Sequence, residues 1–244
     1  MIFDLIAQNG DFFTDRSAGS ATECVAENKS VCVSWAIDHY DDFVGPTLEH
    51  LLLVAVSVLA GFAIALGMAV LSHRRRWLVP TFTGASGVLY TIPSIALFLI
   101  LLPITHRGFL TAVVALTLYT LQIIYRNIVT GLGNVPESAK DAGRGMGMTD
   151  RQLLWRVELP LAVPEIIAGL RIATVSTVAI ATLAIFAGAG DLGETIYTEG
   201  LLRDVFKTAI VVGSLLAIAM AILFDVLYVL LQRRLAPWRQ VRAV

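Results

Sequence analysis

The chain has 244 residues, 57% of them hydrophobic and 15% charged, with a formal net charge of −1 and a mean hydropathy of +0.75. A soluble domain carries about 25% charged residues, so a water-soluble globule is excluded, and the near-neutral balance leaves no basic footprint for a nucleic-acid partner. The apolar residues are gathered into runs long enough to cross a hydrocarbon core, which takes roughly 20 of them. These features define an all-α, polytopic membrane bundle, with lipid as its surroundings.

Residues 1–46 form an acidic segment ahead of the spans, carrying Asp4, Asp11, Asp15, Glu23, Glu27, Asp38, Asp41 and Asp42 against Arg16 and Lys29. It lacks the positive start and continuous apolar core of a signal peptide. Ile2, Phe3, Leu5, Ile6, Phe12 and Phe13 suit a membrane surface. The only cysteines, Cys24 and Cys32, close the short stretch CVAENKSVC. A disulfide between them is expected if this segment faces an oxidising compartment, with two free structural thiols as the alternative. No histidine pairs with them, so no metal site is expected.

A membrane domain is expected over 47–231, with about five transmembrane helices at 47–72, 79–103, 108–130, 164–188 and 208–231, followed by a basic tail, 232–244. Lys and Arg set the orientation, because cytoplasmic loops collect them. Arg74, Arg75 and Arg76 follow the first helix, Lys140, Arg144, Arg151 and Arg156 follow the third, and Arg233, Arg234, Arg239 and Arg242 follow the fifth. Five spans put all three groups on one face, with the N-terminus outside and the C-terminus inside.

The first span carries Ser57, Gly61, Ala65 and Ala69 at four-residue spacing, a small face along which another helix can approach closely. That spacing suits packing inside one subunit and, less readily, a dimer seam. The second contains Pro93, which removes a backbone hydrogen bond and bends a helix, flanked by Tyr90, Thr91 and Ser94. Irregular backbone at membrane depth belongs where it is buried in protein or faces a wet cavity, so these residues are candidates for a pathway. In the third, Tyr119, Gln122 and Arg126 share a face. In the fifth, Ser214, Asp225, Tyr228 and Gln232 form a similar stripe. Asp225 is the deepest carboxylate, either a path residue or a tie within the bundle. No nucleophile–base pair, zinc-binding helix or phosphate-cradling glycine loop is present, so the chain reads as no enzyme, and any ATP driving it must be hydrolysed by another chain.

Between the third and fourth spans lies a charged loop, 131–163. Asn134 is positioned to cap a first short helix with Pro136 in its first turn, and Gly145 and Gly147 to end it. Thr149 and Gln152 form a capping box for a second. Leu153, Leu154 and Val157 supply the apolar face of that helix, and Pro160 stops it. The product is a two-helix elbow joined to the fourth span, in which Ala142 and Gly143 leave the first helix open to a flat partner surface.

The stretch DAGRGMGMTDRQLLWRVELP resembles the EAA loop of binding-protein-dependent ABC importer permeases: Glu-Ala-Ala, three residues, Gly, nine residues, Ile-x-Leu-Pro. Asp141, Ala142 and Gly143 stand for the triplet, with Arg144 following. Gly147 stands for the glycine and Val157 for the isoleucine, and Leu159 and Pro160 close the pattern. Asp replaces Glu, Gly replaces the second Ala, and Val replaces Ile. The segments GVLYTIPSIALF, GRGMGM, RVELPLAVPEIIAGLR and AGAGDLGETIYTEGL narrow the resemblance to the permeases for quaternary amines such as glycine betaine, choline and carnitine, over about four-fifths of the chain.

The resemblance implies a type I ABC importer permease fold in the bacterial cytoplasmic membrane and a second permease subunit, identical or not. It also implies cytoplasmic ATPase subunits that carry ATP and Mg, an external solute-binding protein received near 190–207, and no cofactor in this chain. Tyr90, Phe98, Tyr119 and Tyr125 are then candidate aromatic faces for a quaternary ammonium group. Two alternatives stay open: a permease for another small solute, such as an amino acid or a sulfonate, and an ATP-independent channel or carrier. Paired inverted repeats and discontinuous helices, which a carrier would show, are not visible in the sequence.

Overall fold

The computed structural model describes residues 28, 31–202 and 205–236. Cys24 lies outside them, and with it the expected Cys24–Cys32 bridge. The elements in chain order are α1 (Val33–Asp38), α2 (Tyr40–Arg74), α3 (Leu78–Thr91), α4 (Ser94–Thr105), α5 (Phe109–Gly133), α6 (Glu137–Gly145), α7 (Asp150–Ala181), α8 (Leu192–Glu194) and α9 (Lys207–Leu235). A 3₁₀ turn, Ala184–Ala187, precedes α8, and a π turn, Thr195–Leu201, extends it. No strand occurs among the described residues. Among the described residues, four helices are long and apolar enough to cross a membrane, or five if the bent pair α3–α4 counts as one span.

The core is built around α5, where Ala112, Ala115, Leu116, Ile124, Tyr125 and Ile128 are fully buried. Lipid is as apolar as leucine, so helices associate in it through close packing and interhelical hydrogen bonds. Small residues permit that closeness. At Gly61 of α2 an added Cβ would lie 1.8 Å from Thr120 Oγ1 of α5, so only glycine lets the two backbones meet. Ser57, Gly61, Ala65 and Ala69 are all buried, and the stripe serves packing within one subunit. On the other side of α5, a Cβ at Gly169 of α7 would lie 2.5 Å from Asn127 Cβ.

Three expected boundaries are corrected. The first span begins at Tyr40, because Pro46 is accommodated inside α2. The second is broken outright: α3 and α4 meet at 99°. At about 1.5 Å per residue, neither the 14 residues of α3 nor the 12 of α4 cross a core of roughly 30 Å. Ile92 and Pro93 are extended (ψ 128° and 136°), and the Tyr119 hydroxyl donates to the Ile92 carbonyl at the break. The fourth span ends at Ala181 instead of reaching Gly188, whose φ of 86° marks the end of the 3₁₀ turn.

The N-terminal part of the described chain packs on the start of α9. The Cys32 backbone N–H donates to Thr208 Oγ1 (3.0 Å), and the Trp35 ring meets Phe206 edge-on at 5.0 Å. Exposed large apolar side chains run along α2 (Leu52, Leu59, Ile64) and α9 (Ile218, Ile222, Leu223, Leu227), as lipid-facing surfaces require.

Candidate coupling loop and translocation face

Each end of the two-helix elbow has a local cause. Helix α6 starts at Glu137 with Pro136 as its N-cap residue; Asn134 instead caps the C-terminus of α5, its N–H bonding Thr130 O at 2.9 Å. The cap expected of Asn134 is therefore corrected. At its far end α6 closes in a Schellman motif: Met148 N–H donates to Gly143 O (3.1 Å) and Gly147 N–H to Arg144 O (2.9 Å), with Gly147 at φ +78°. A side chain at that φ would be strained. Thr149 then starts α7 with the capping box, its hydroxyl accepting from the Gln152 N–H while Gln152 accepts from the Thr149 N–H at 2.9 Å.

Pro160 does not stop this helix. A π turn, Leu154–Glu158, lies immediately before it, and Leu159 N–H reaches back five residues to Leu154 O. The widened turn absorbs the missing donor and the ring of Pro160, and the helix runs unbroken for 32 residues to Ala181. The second loop helix and the fourth span are one rod.

Gly143 faces inward, contrary to its expected role toward a partner: an added Cβ would sit 2.6 Å from Leu153 Cδ1. That approach docks α6 onto the start of α7. Asp141, Ala142, Arg144 and Gly147 remain exposed, as do Met146 (70%) and Trp155 (51%), whereas Val157 is half-buried and Leu159 and Pro160 lie on the rod. Arg144 bridges Glu137 and Asp141, at 3.1 Å each, and Lys140 reaches Glu137 at 3.2 Å. Lys140, then Arg144, hold the Glu137 carboxyl below its usual range.

The candidate path residues divide. Tyr90 and Thr91 are exposed beside the break, with Pro93 exposed and Ser94 half-buried. The Tyr90 ring stands edge-on to Tyr119 at 5.8 Å. Gln122 accepts from Ser86 Oγ at 2.6 Å and so ties α3 to α5, and Arg126 is exposed near the loop end. Phe98 and Tyr125 are fully buried in the core and offer no open face, which removes them as ring surfaces for a solute. Exposed residues on α3 (Pro80, Thr81, Gly84, Ala85, Val88, Tyr90, Thr91) and beyond Pro160 on α7 (Leu161, Ile172, Ala179) mix small and polar side chains with apolar ones, unlike the apolar rows of α2 and α9.

Asp225 is paired. Arg171 of α7 grips it with two bonds, Nε to Oδ1 and Nη2 to Oδ2 (2.8 Å). Tyr228 accepts from Thr174 Oγ1 (3.1 Å), and Gln232 donates to the Pro164 carbonyl (3.2 Å). Asp225, Tyr228 and Gln232 of the α9 stripe form a polar seam to α7. Sequence reasoning missed Arg171, although it is one of few charges inside a span and a natural counter-charge for Asp225. It also missed a buried pair at the end far from the elbow. There His50 Nδ1 lies 2.9 Å from Asp191 Oδ2, both side chains fully buried, and its Nε2 lies 3.2 Å from Val178 O. Asp191 also caps α8 through the Gly193 N–H, and Glu49 accepts from the Gly190 N–H, both at 2.9 Å.

Residues 57–238 match the family described as binding-protein-dependent transport system inner membrane component. The chain belongs to this family. It is 37% identical over 210 residues to the osmoprotectant import permease protein OsmW of Salmonella typhimurium, covering 84% of this chain and 97% of that one. It is 33% identical to the choline transport system permease protein OpuBB of Bacillus subtilis, over 78% and 87% of the two chains. A carnitine transport permease protein, OpuCB of Listeria monocytogenes, is 34% identical over the same shares. Among solved structures, a chain of the MetNI methionine ABC transporter in an inward-facing conformation superposes with a TM-score of 0.74 at 25% identity, over 80% of this chain and 96% of that one. An amino acid ABC transporter shares the fold at TM-score 0.69. The permease is thus a multi-pass, inner-membrane component of an ABC importer with the type I fold.

Proposed function

We propose that this permease forms half of the path of an ATP-driven importer for quaternary-amine solutes of the glycine betaine, choline and carnitine class. A second copy or a sister permease supplies the other half. In this reading the elbow faces the cytoplasm and seats on a separate ATPase chain that carries ATP and Mg, the N-terminus lies outside, and 190–207 receives a loaded solute-binding protein. The permease itself catalyses no reaction. Sites follow the same division: Asp141, Ala142, Arg144 and Gly147 at the ATPase, Val157, Leu159 and Pro160 in the rod, and Tyr90, Thr91, Pro93 and Ser94 along the path, with the buried Tyr119 holding the break beside them.

The carrying observation is the continuity of the elbow with α7: a loop helix and a span that are one 32-residue rod move together, so a pull on the loop becomes a tilt of the span. The solute class is supported by relatives whose names specify osmoprotectants, choline and carnitine, and by the exposed Tyr90 ring beside a broken span, since aromatic faces suit quaternary ammonium ions.

The test is reconstitution with the cognate ATPase and binding protein. Glycine betaine, choline or carnitine should stimulate ATP hydrolysis, and methionine should not. Stimulation by methionine alone would replace this solute class with an amino acid.

A further inference from the structure

Two histidines on α2 each meet an acid, one near either end of the helix. At the elbow end, His73 Nδ1 lies 3.6 Å from Glu158 Oε2, and Glu158 is buried in the π turn of α7. At the other end, His50 touches both the Val178 carbonyl near the end of α7 and the Asp191 carboxylate just beyond it. His50 and His73 are 23 positions apart, about 35 Å along a helix, which exceeds the thickness of the hydrocarbon core. A histidine–carboxylate contact is therefore found near each membrane boundary, and in both cases the partner belongs to the α7 rod or its immediate continuation.

We propose that these two contacts clamp α2 to α7 as one rigid body, which carries motion of the elbow to the segment 184–201 at the opposite end. His50, His73, Glu158 and Asp191 are then positioning residues for transport, touching neither solute nor nucleotide. The chemistry suits the task. Glu158, His50 and Asp191 are each at most 4% exposed, and a buried polar group that loses its partner bears the full cost of desolvation. His50 and Asp191 are both fully buried at hydrogen-bond distance, so the far contact resists sliding most firmly; at the elbow end Glu158 is buried while His73 is 28% exposed and reaches it as an ion-pair contact. At the far end Asp191 also caps α8, so a displaced α2 takes the start of the external segment with it. Glu49 on α2, Glu194 and Glu199 beyond Asp191, and Arg107 from the α4–α5 link surround this clamp.

The proposal rests on the importer reading, and the experiment separates the two. In nanodiscs holding permease and ATPase, the readout is the ratio of ATP hydrolysis with and without loaded binding protein. His50→Gln and His73→Gln should each lower that ratio by about fivefold or more, the scale of a typical coupling between sites, with basal hydrolysis within about twofold of wild type. A helix held at only one of two points can pivot about it, so losing either contact already frees α2, and the double variant should fall little further than the worse single. Contributions from independent sites would multiply.

A retained ratio in either single variant, or a multiplicative double, overturns the proposal. The exchange variant His73→Glu with Glu158→His should regain most of the ratio, and a properly inserted exchange variant that does not regain it counts against the clamp. A second readout does not depend on transport: spin labels at the exposed positions Leu59 and Ile172 should give a narrow distance distribution that broadens in either histidine variant. An unchanged width overturns the clamp. A wild-type complex with narrow label distances but no stimulation would contradict the importer reading alone.

Discussion

Gly147 is the position at which a small change should do most to the elbow and least to the bundle. Its φ of +78° belongs to the left-handed region, and nothing lies within 4 Å of where a Cβ would go. Gly147→Ala therefore meets no steric obstacle, and its cost is the backbone term alone, about 1–2 kcal/mol for an L-residue held left-handed. At about 1.4 kcal/mol per tenfold, the closed Schellman conformation is disfavoured by roughly 5- to 30-fold. A partner that requires the closed elbow loses affinity by up to that factor, according to how far the open form comes to dominate. Gly147→Asn should lose much less, because asparagine tolerates left-handed backbone.

The assay is titration of purified ATPase onto permease in nanodiscs, with thermal unfolding as the control for the bundle. The expected order of affinity is Gly, Asn, Ala, with unfolding midpoints nearly unchanged. Gly147→Trp, which adds bulk on the exposed surface, should release the ATPase while leaving the protein in the membrane. Equal affinity of the Ala and Gly forms would refute the claim that the left-handed turn at 147 shapes the docking surface.

Other consequences follow from named contacts. Gly61→Val puts a Cβ 1.8 Å from Thr120 Oγ1; it should force α2 from α5 and cost more than the roughly 1–3 kcal/mol of ordinary overpacking, read as a lower unfolding midpoint. Arg171→Met or Asp225→Leu alone leaves one charge without its partner inside the span, so the double replacement should be more stable than either single. Tyr119→Phe removes the hydroxyl that satisfies the Ile92 carbonyl and should cost about 1 kcal/mol, whereas alanine at Tyr90 and Tyr119 together should slow uptake. Unchanged uptake kinetics would take both tyrosines off the path.

Glu194 lies between the spans, and burial, then the charges of Glu199, Glu49 and Asp191, raise its pKa against the opposing pull of Arg107. A raised carboxyl pKa means that the ionised form is penalised in the folded state, so the penalty is present at neutral pH and relieved as pH falls through the folded value. Glu194→Gln should therefore raise the unfolding midpoint at pH 7, and the gain should shrink on acidification.

Much of this architecture was legible because it depends on local chemistry. Apolar length marked α5 and α9, and Thr149 with Gln152 marked a helix start, since a capping box uses only neighbours in sequence. The misreadings occurred where two local rules competed or where the partner was remote. Asn134 can serve either helix flanking it, and Pro136, extended and unable to donate, takes the N-cap position of α6. Pro160 would ordinarily end a helix, but the π turn before it removes the conflict, and nothing in the residue pattern announces that turn. Pro93 located the break in the second span, whereas its 99° angle depends on contacts with α5, the Tyr119 hydroxyl among them. Gly143 looks open to a partner in the sequence because its real neighbour, Leu153, comes only after the chain has turned. His50 and Asp191 stand 141 positions apart, and a lone histidine at a span end carries no sign of the acid it will meet.

The most direct test of the elbow as the seat of a separate motor is the sidedness of residue 146. Met146→Cys, compared with wild type to account for Cys24 and Cys32, is treated with a membrane-impermeant maleimide in intact cells and in inside-out vesicles stripped of ATPase. The account predicts no additional labelling in cells, strong labelling in stripped vesicles, and protection when ATPase is added back. Labelling from outside, or labelling that added ATPase leaves undiminished, would contradict it.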